Sequence, residues 1–379
     1  MKLATKLIHA GAEPDPSTGA IMTPIFQTST YVQESPGVNK GYEYARTQNP
    51  TRDALQTALA AIENGKYGLC FASGSAATDA VIKLLNPGDE VIAANDMYGG
   101  TYRMFTKIFQ KYGLKFHFIN MQDANEISKY INKNTKLIWT ETPTNPMMNI
   151  TDIAAVAAIA KPHNILLCVD NTFASSFLQN PLDLGADIVL HSATKYLGGH
   201  SDSVHGCLIV NDKSLNDQLA FIQNSCGAVP GPQDCFLILR GLKTLHVRMQ
   251  RHCENGEKIA RWLKQNPKVD KVLWCGFEDH PNHAIAKKQM RGYGGMMSFT
   301  LKDDNIDAAF KVLSTTKLFA LAESLGGVES LIGHPASMTH ASIPREERLK
   351  TGLVDSLIRL SVGIEDADDL IADLDNAIG

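Results

Sequence analysis

Short unbroken apolar runs recur along the first half of the chain, at 67–72 (YGLCFA), 90–94 (EVIAA), 115–119 (KFHFI), 136–140 (KLIWT), 165–169 (ILLCV), 186–190 (ADIVL) and 207–210 (CLIV). Runs without polar alternation predict strands covered on both faces. Stretches with helical spacing lie between several of them, at 76–85, 101–112 and 152–161. Strand and helix in alternation predict an α/β domain around a mostly parallel, seven-stranded sheet.

After residue 236 the pattern changes. A helical stretch runs 236–265, MMSFTL at 296–301 reads as a strand, and 305–314 reads as a helix. The chain closes on the strand-like LIRLSV and an acidic amphipathic helix, DADDLIADLDNAI. These elements predict a smaller α+β domain. The opening residues have little periodicity and many Pro, Gly and Thr, so they read as an arm that packs on another surface. Asn49-Pro50-Thr51 is a helix start signal, with Leu55, Leu59 and Ile62 on one face of the helix that follows. The expected division is an arm at 1–48, an α/β domain at 49–235 and a C-terminal α+β domain at 236–379.

With 379 residues, 44% hydrophobic and 20% charged, the chain has material for two buried cores. A net charge of −4 leaves no electrostatic footprint for nucleic acid. The opening MKLATKLIHAGAEPDP lacks the apolar core of a signal peptide, and no run approaches membrane-spanning length. A cytoplasmic protein without nucleic-acid or membrane partners is expected. The seven cysteines form no CxxC pair, and Cys70, Cys168 and Cys207 lie in apolar runs where a buried thiol is the default. His246, His252, His280, His283, His334 and His340 show no metal-ligand spacing; they read as surface or hydrogen-bonded residues, and no metal is expected.

The chemistry concentrates around Lys195, in the string SATKYLGGHSD (192–202), 25 residues after Asp170 ends an apolar run. A lysine amine beside hydroxyls and glycines suits covalent capture of an aldehyde cofactor. Ser192 and Thr194 can take a phosphate, and so can Gly74, in the turn ASGSAAT that opens a helix after a strand. Asp170, at the carboxyl end of a strand, can face a protonated pyridine nitrogen. Tyr98 also follows a strand; its ring can stack on a cofactor and its hydroxyl can move a proton. Arg359, inside an apolar run, needs a carboxylate from the protein or a substrate, and Asn145 is a second candidate for that contact. Together these parts describe a site for pyridoxal 5'-phosphate (PLP).

In order, TPIFQTSTY, GYEYARTQNPTR, YGGTYR, ETPTNP, VDNTFAS, HSATKYLGGHSD, ESLGGVESL, MTHAS and RLSVGIED resemble the transsulfuration (Cys/Met metabolism) family over nearly the full length. The resemblance implies a fold-type-I PLP-dependent enzyme. It implies Lys195 as the Schiff-base lysine, Asp170 as the pyridine partner and Tyr98 as the stacking group. Gly74, Ser192 and Thr194 would hold the phosphate, with Ser75 contributing mainly its backbone N–H. Tyr44 and Arg46 match arm residues that reach a neighbouring subunit's phosphate, which implies at least a homodimer and, as the expected assembly, a dimer of dimers. Asn145, Ser324, Arg359 and Arg103 fall with the substrate group, and Glu43 and Glu323 resemble an acidic pair near the far amino end of cystathionine. Gly100 stands where methionine γ-lyases carry cysteine. The implied activity is that of a cystathionine γ-lyase, with γ-synthase next, then methionine γ-lyase or β-lyase. A non-catalytic nucleotide-binding protein is disfavoured, because GxGxxG and GxxxxGK[ST] spacings are missing from the glycine turn.

Overall fold

In the computed structural model, which describes residues 1–303, 305–341 and 343–379, the seven apolar runs pair into one sheet. Its strands are β1 (Tyr67–Phe71), β2 (Glu90–Ala94), β3 (Lys115–Ile119), β4 (Thr135–Glu141), β5 (Leu166–Asp170), β6 (Ile188–Ser192) and β7 (Gly206–Val210). The spatial order is β1-β7-β6-β5-β4-β2-β3. Strands β2 to β6 are parallel, and β7 runs antiparallel to both β6 and β1. Alternate residues feed opposite cores. Val189 and Ile209 pack with Leu55, Leu59 and Ile62 on one face, while Leu190 and Leu208 pack with Phe71, Val81, Phe105 and Trp139 on the other. The carboxyl ends of β2, β4, β5 and β6 open on one edge, where such sheets place ligands.

Asn49 caps the helix Pro50–Ile62, its side chain accepting from the Thr51 and Arg52 amides. The arm before it is not wholly irregular, since a helix at Leu3–His9 buries Leu7 against the same core. The stretch expected as one helix over 236–265 is two, Pro232–Leu242 and Leu245–Gln265. The carbonyl of Gly241 accepts from the Thr244 amide at 3.2 Å and from Arg248 Nη2 at 2.9 Å, so the chain turns there. The helix expected at 101–112 spans Gly99–Lys107, with a separate 3₁₀ turn at Phe109–Tyr112.

The C-terminal region holds five strands, β8 (Val269–Leu273), β9 (Met296–Leu301), β10 (Ala320–Leu321), β11 (Leu331–Gly333) and β12 (Ile358–Ser361), in the order β10-β11-β12-β9-β8. Phe299 and Leu360 from this sheet pack on Ile259, Leu263, Val312 and Leu374. Two of its parts reach the open edge of the large sheet: Arg359 on β12, and Ser324 just after β10. Among the described residues no helix is long and apolar enough to cross a membrane.

Candidate active site

Immediately after β6 the chain folds into a tight turn, with Gly198 N donating to Ala193 O and Gly199 N to Lys195 O, each at 2.8 Å. Buried Arg248 holds this turn from beneath, donating to Tyr196 O at 2.7 Å and Leu197 O at 3.4 Å. Gly199 has φ +73°, and a Cβ there would come 2.0 Å from Arg248 Nη1. The turn presents Lys195, whose Nζ donates to Ser324 Oγ at 2.6 Å. Burial first, and the charge of Arg359 second, push the lysine down to about 8, against the opposing pull of Glu323. A sizeable share of the amine is therefore neutral near physiological pH, as a nucleophile or base requires.

Ser324 has φ +96°, a left-handed conformation unusual for serine. Its carbonyl accepts from Arg359 Nη2 at 2.8 Å, while Arg359 Nη1 donates to Asn145 Oδ1 at 3.1 Å. The guanidinium is buried, and burial lowers it to about 10, so it stays charged at neutral pH. No ion pair neutralises it among the described residues. A carboxylate brought in by a substrate would complete its partners.

A second chain of contacts runs along the sheet edge. Thr172 Oγ1 donates to Asp170 Oδ1 at 2.6 Å and accepts from Ser192 N at 2.9 Å. Asp170 is buried, and burial raises its carboxyl above the usual range despite the Thr172 hydrogen bonds. At the next strand end, Glu141 accepts from Tyr98 N through Oε2 and from Asn145 N through Oε1, both at 3.0 Å. Burial, then the charge of Asp170, push Glu141 up. The Tyr98 ring is 42% exposed and faces the open edge.

Ser73 caps the helix Gly74–Ile82, its hydroxyl accepting from Ala76 N at 3.0 Å. The amides of Gly74 and Ser75 find no partner among the described residues and point out of the first turn. A Cβ on Gly74 would sit 2.8 Å from Ser192 Cβ, so glycine lets this helix approach the end of β6. Ser75 is exposed, and Thr194 Oγ1 donates to His205 O at 3.2 Å while accepting from His205 N at 2.9 Å.

These residues fit an aldehyde cofactor with a phosphate and a ring nitrogen. The unpartnered amides, Gly74 and Ser192 form a cradle that a Cβ would fill, and the buried Asp170 carboxyl lacks a cation. The depressed Lys195 amine stands three residues past Ser192, on the turn that follows β6. Tyr44 and Arg46 are elsewhere: Arg46 Nη1 donates to Asn224 O at 2.6 Å, and its guanidinium lies 5.6 Å from the Tyr44 ring. Glu43 and Glu323 are exposed. Arg103 is exposed on its helix and, among the described residues, forms no hydrogen bond or ion pair that ties it to this group.

Sequence reasoning passed over Thr172, Glu141 and Arg248, and read His340 only as a surface or hydrogen-bonded residue. Glu141 shows the signal used for Asp170, an acid ending an apolar strand. His340, buried and hydrogen-bonded to Met97 O and Asn145 O, carries no local signal.

A family model described as Cys/Met metabolism PLP-dependent enzyme matches residues 4–379. The chain is 54% identical to a cystathionine β-lyase of Coxiella burnetii over 376 residues, covering 99% of this chain and 97% of that one. It is 52% identical to a cystathionine γ-lyase of Dictyostelium discoideum, covering 100% of this chain and 97% of that one. A cystathionine γ-synthase of Mycobacterium tuberculosis is 50% identical, with 99% and 96% covered. The crystal structure of cystathionine γ-lyase from Lactobacillus plantarum complexed with L-serine superposes with a TM-score of 0.97 at 46% identity, covering 100% of this chain and 98% of that one.

Proposed function

The chain belongs to the Cys/Met metabolism family of PLP-dependent enzymes, and from that premise we propose that it is a cystathionine γ-lyase. The reaction would convert cystathionine and water into cysteine, 2-oxobutanoate and ammonia. The observation that favours cystathionine over methionine as the substrate is Glu323. It lies next to Ser324, is exposed at the mouth of the site, and acts electrostatically on both Lys195 and Arg359.

Bound PLP supplies an electron sink for negative charge at the substrate Cα. Lys195, Asp170 and the cradle of Gly74, Ser75, Ser192 and Thr194 would hold it. Arg359 and Asn145 would grip the α-carboxylate and fix which bonds of the substrate face the lysine. The neutral Lys195 amine, once released, would take the Cα proton and return protons to neighbouring carbons. As the Cγ–S bond breaks, the sulfur would leave with its electron pair and take a proton, for which the exposed Tyr98 hydroxyl is a candidate donor. Glu323, with Glu43 from an arm, would receive the distal ammonium.

Cystathionine carries that ammonium and methionine does not. A charge-assisted contact worth about 1.4 kcal/mol, at the low end for such bonds, corresponds to a tenfold preference in kcat/KM. We expect at least that preference, and we expect Glu323→Ala to erode it mainly through cystathionine. The deciding assay incubates cystathionine alone and measures cysteine, 2-oxobutanoate, homocysteine and pyruvate. Homocysteine with pyruvate would make the protein a β-lyase. The γ-synthase reading is favoured by the Mycobacterium relative, 50% identical against 52% for the γ-lyase of Dictyostelium discoideum, and fast condensation of O-acylhomoserine with cysteine beside slow cleavage would establish it.

A further inference from the structure

Two loops from different strands bring Tyr98 and Asn145 to the site; they are tied to each other directly by Asp96, which accepts from Thr144 Oγ1 and from Asn149 Nδ2. After β2, Asp96 to Tyr98 lead into the helix Gly99–Lys107; after β4, residues 142–149 form a turn with Asn145 at its tip. Both loops meet the same two side chains. Glu141 spends one carboxyl oxygen on the Tyr98 amide and the other on the Asn145 amide, each at 3.0 Å. His340 Nε2 lies 3.2 Å from Met97 O and 3.0 Å from Asn145 O.

Carbonyls only accept, so Nε2 must carry the proton and share it between the two loops. Nδ1, 2.8 Å from Thr339 Oγ1, is then the acceptor. Burial, reinforced by the charge of Arg359, lowers the imidazole to about 4, which keeps this neutral tautomer through the physiological range. The close approach depends on Gly99, where a Cβ would fall 2.2 Å from Thr339 O. Histidine and glutamate thus grip the two loops from opposite sides, the first by carbonyls and the second by amides.

We infer that Glu141 and His340 are positioning residues, which fix Asn145, and through it Arg359, in one relation to the Tyr98 ring. The inference rests on Arg359 and Asn145 as the α-carboxylate site, and not on which bond of the substrate is broken. Freed of the clamp, the tip of the turn would be held only through Asp96 and Arg359 itself, so Asn145 would fix the guanidinium less firmly and the carboxylate would meet a less ordered partner.

The test uses His340→Ala, His340→Gln, Glu141→Gln and, as a control on the site, Arg359→Lys. Binding of L-alanine, which has no leaving group at Cγ, is followed by the absorbance of the holoenzyme, and amide exchange is read on cofactor-free protein. His340→Ala should weaken L-alanine binding at least tenfold and speed exchange at least tenfold in peptides spanning 97–101 and 144–148. The dissociation constant of PLP should stay within threefold. His340→Gln keeps a donor near Nε2 and should recover most of the loss; Glu141→Gln keeps one acceptor oxygen and should fall between. Unchanged exchange in both peptides, or PLP affinity lost as steeply as L-alanine affinity, overturns the positioning role. If Arg359→Lys leaves L-alanine binding intact, the carboxylate reading fails instead, whatever the clamp variants do.

Discussion

A lysine amine taken out of water and set near a guanidinium loses its proton at a lower pH than a free one, and Lys195 is pushed down to about 8 by this means. Only the neutral amine can capture an aldehyde. The capture rate of PLP by cofactor-free protein should therefore rise with pH, about fivefold between pH 7 and 8, and level off above about pH 9. A rate that is flat from pH 6.5 to 8.5 in stopped-flow absorbance would contradict it. The sign follows for stability: the unfolded chain holds this proton up to the ordinary lysine range and the folded chain does not. The Lys195 contribution to stability thus rises with pH between about 8 and the ordinary lysine value of 10.5. Lys195, Asp170 and Arg359 were legible locally, Asp170 and Arg359 as charges against apolar runs and Lys195 as an amine among hydroxyls and glycines. Thr172 was not, because a hydroxyl after an aspartate is ordinary until β6 brings Ser192 N to 2.9 Å from it.

At the scale of elements, the break between the helices Pro232–Leu242 and Leu245–Gln265 lets Arg248 point back under the Lys195 turn. That guanidinium has no acid partner among the described residues. It feeds the carbonyls of Tyr196, Leu197 and Gly241 and the hydroxyl of Thr244. Removing it leaves buried acceptors unpaired but also removes a buried charge, for a net cost of about 2–4 kcal/mol. Arg248→Ala should lower the Tm of the holoenzyme by at least about 4 °C at fixed protein and PLP concentration. An unchanged Tm would mean that the turn is held by its own hydrogen bonds. The seven strands of the large sheet were legible because burial on both faces writes an unbroken apolar run. The helix break was not, since its cause is a contact between Gly241 and a side chain in the next helix. Strands as short as β10 and β11 hold two and three residues, too few to show any period.

For the whole molecule, the arm matters most. Its residues Ile21, Val32 and Val38 are exposed in a single chain, as is Phe221 on the helix Lys213–Cys226. Arg46 bonds the end of that helix and lies over the Tyr44 ring, and among the described residues neither forms a hydrogen bond or ion pair with Lys195. An arm of this kind is expected to complete the site of a second copy, which makes the working unit at least a dimer. Mixing Arg46→Ala subunits with Lys195→Ala subunits should restore part of the activity, because a hybrid dimer then contains one site with both residues intact. If subunit exchange is confirmed by mass and no activity returns, the site is not shared. The arm was legible as a segment unable to fold alone, whereas what it covers depends on a surface that only the folded chain displays.

Glu323 is exposed and borders a serine whose backbone is held by Arg359 and whose hydroxyl is held by Lys195. The frame around it is therefore fixed by its neighbours, and its own side chain supports no packing. Exchanging it for a neutral residue should leave the fold unchanged, touch Lys195 and Arg359 only through the lost charge, and alter which substrate tail is welcome. Such a position lets selection retune preference by single mutations with almost no stability barrier between one activity and the next. A lineage built on this architecture can shift between substrates with and without a distal ammonium while its scaffold stands still.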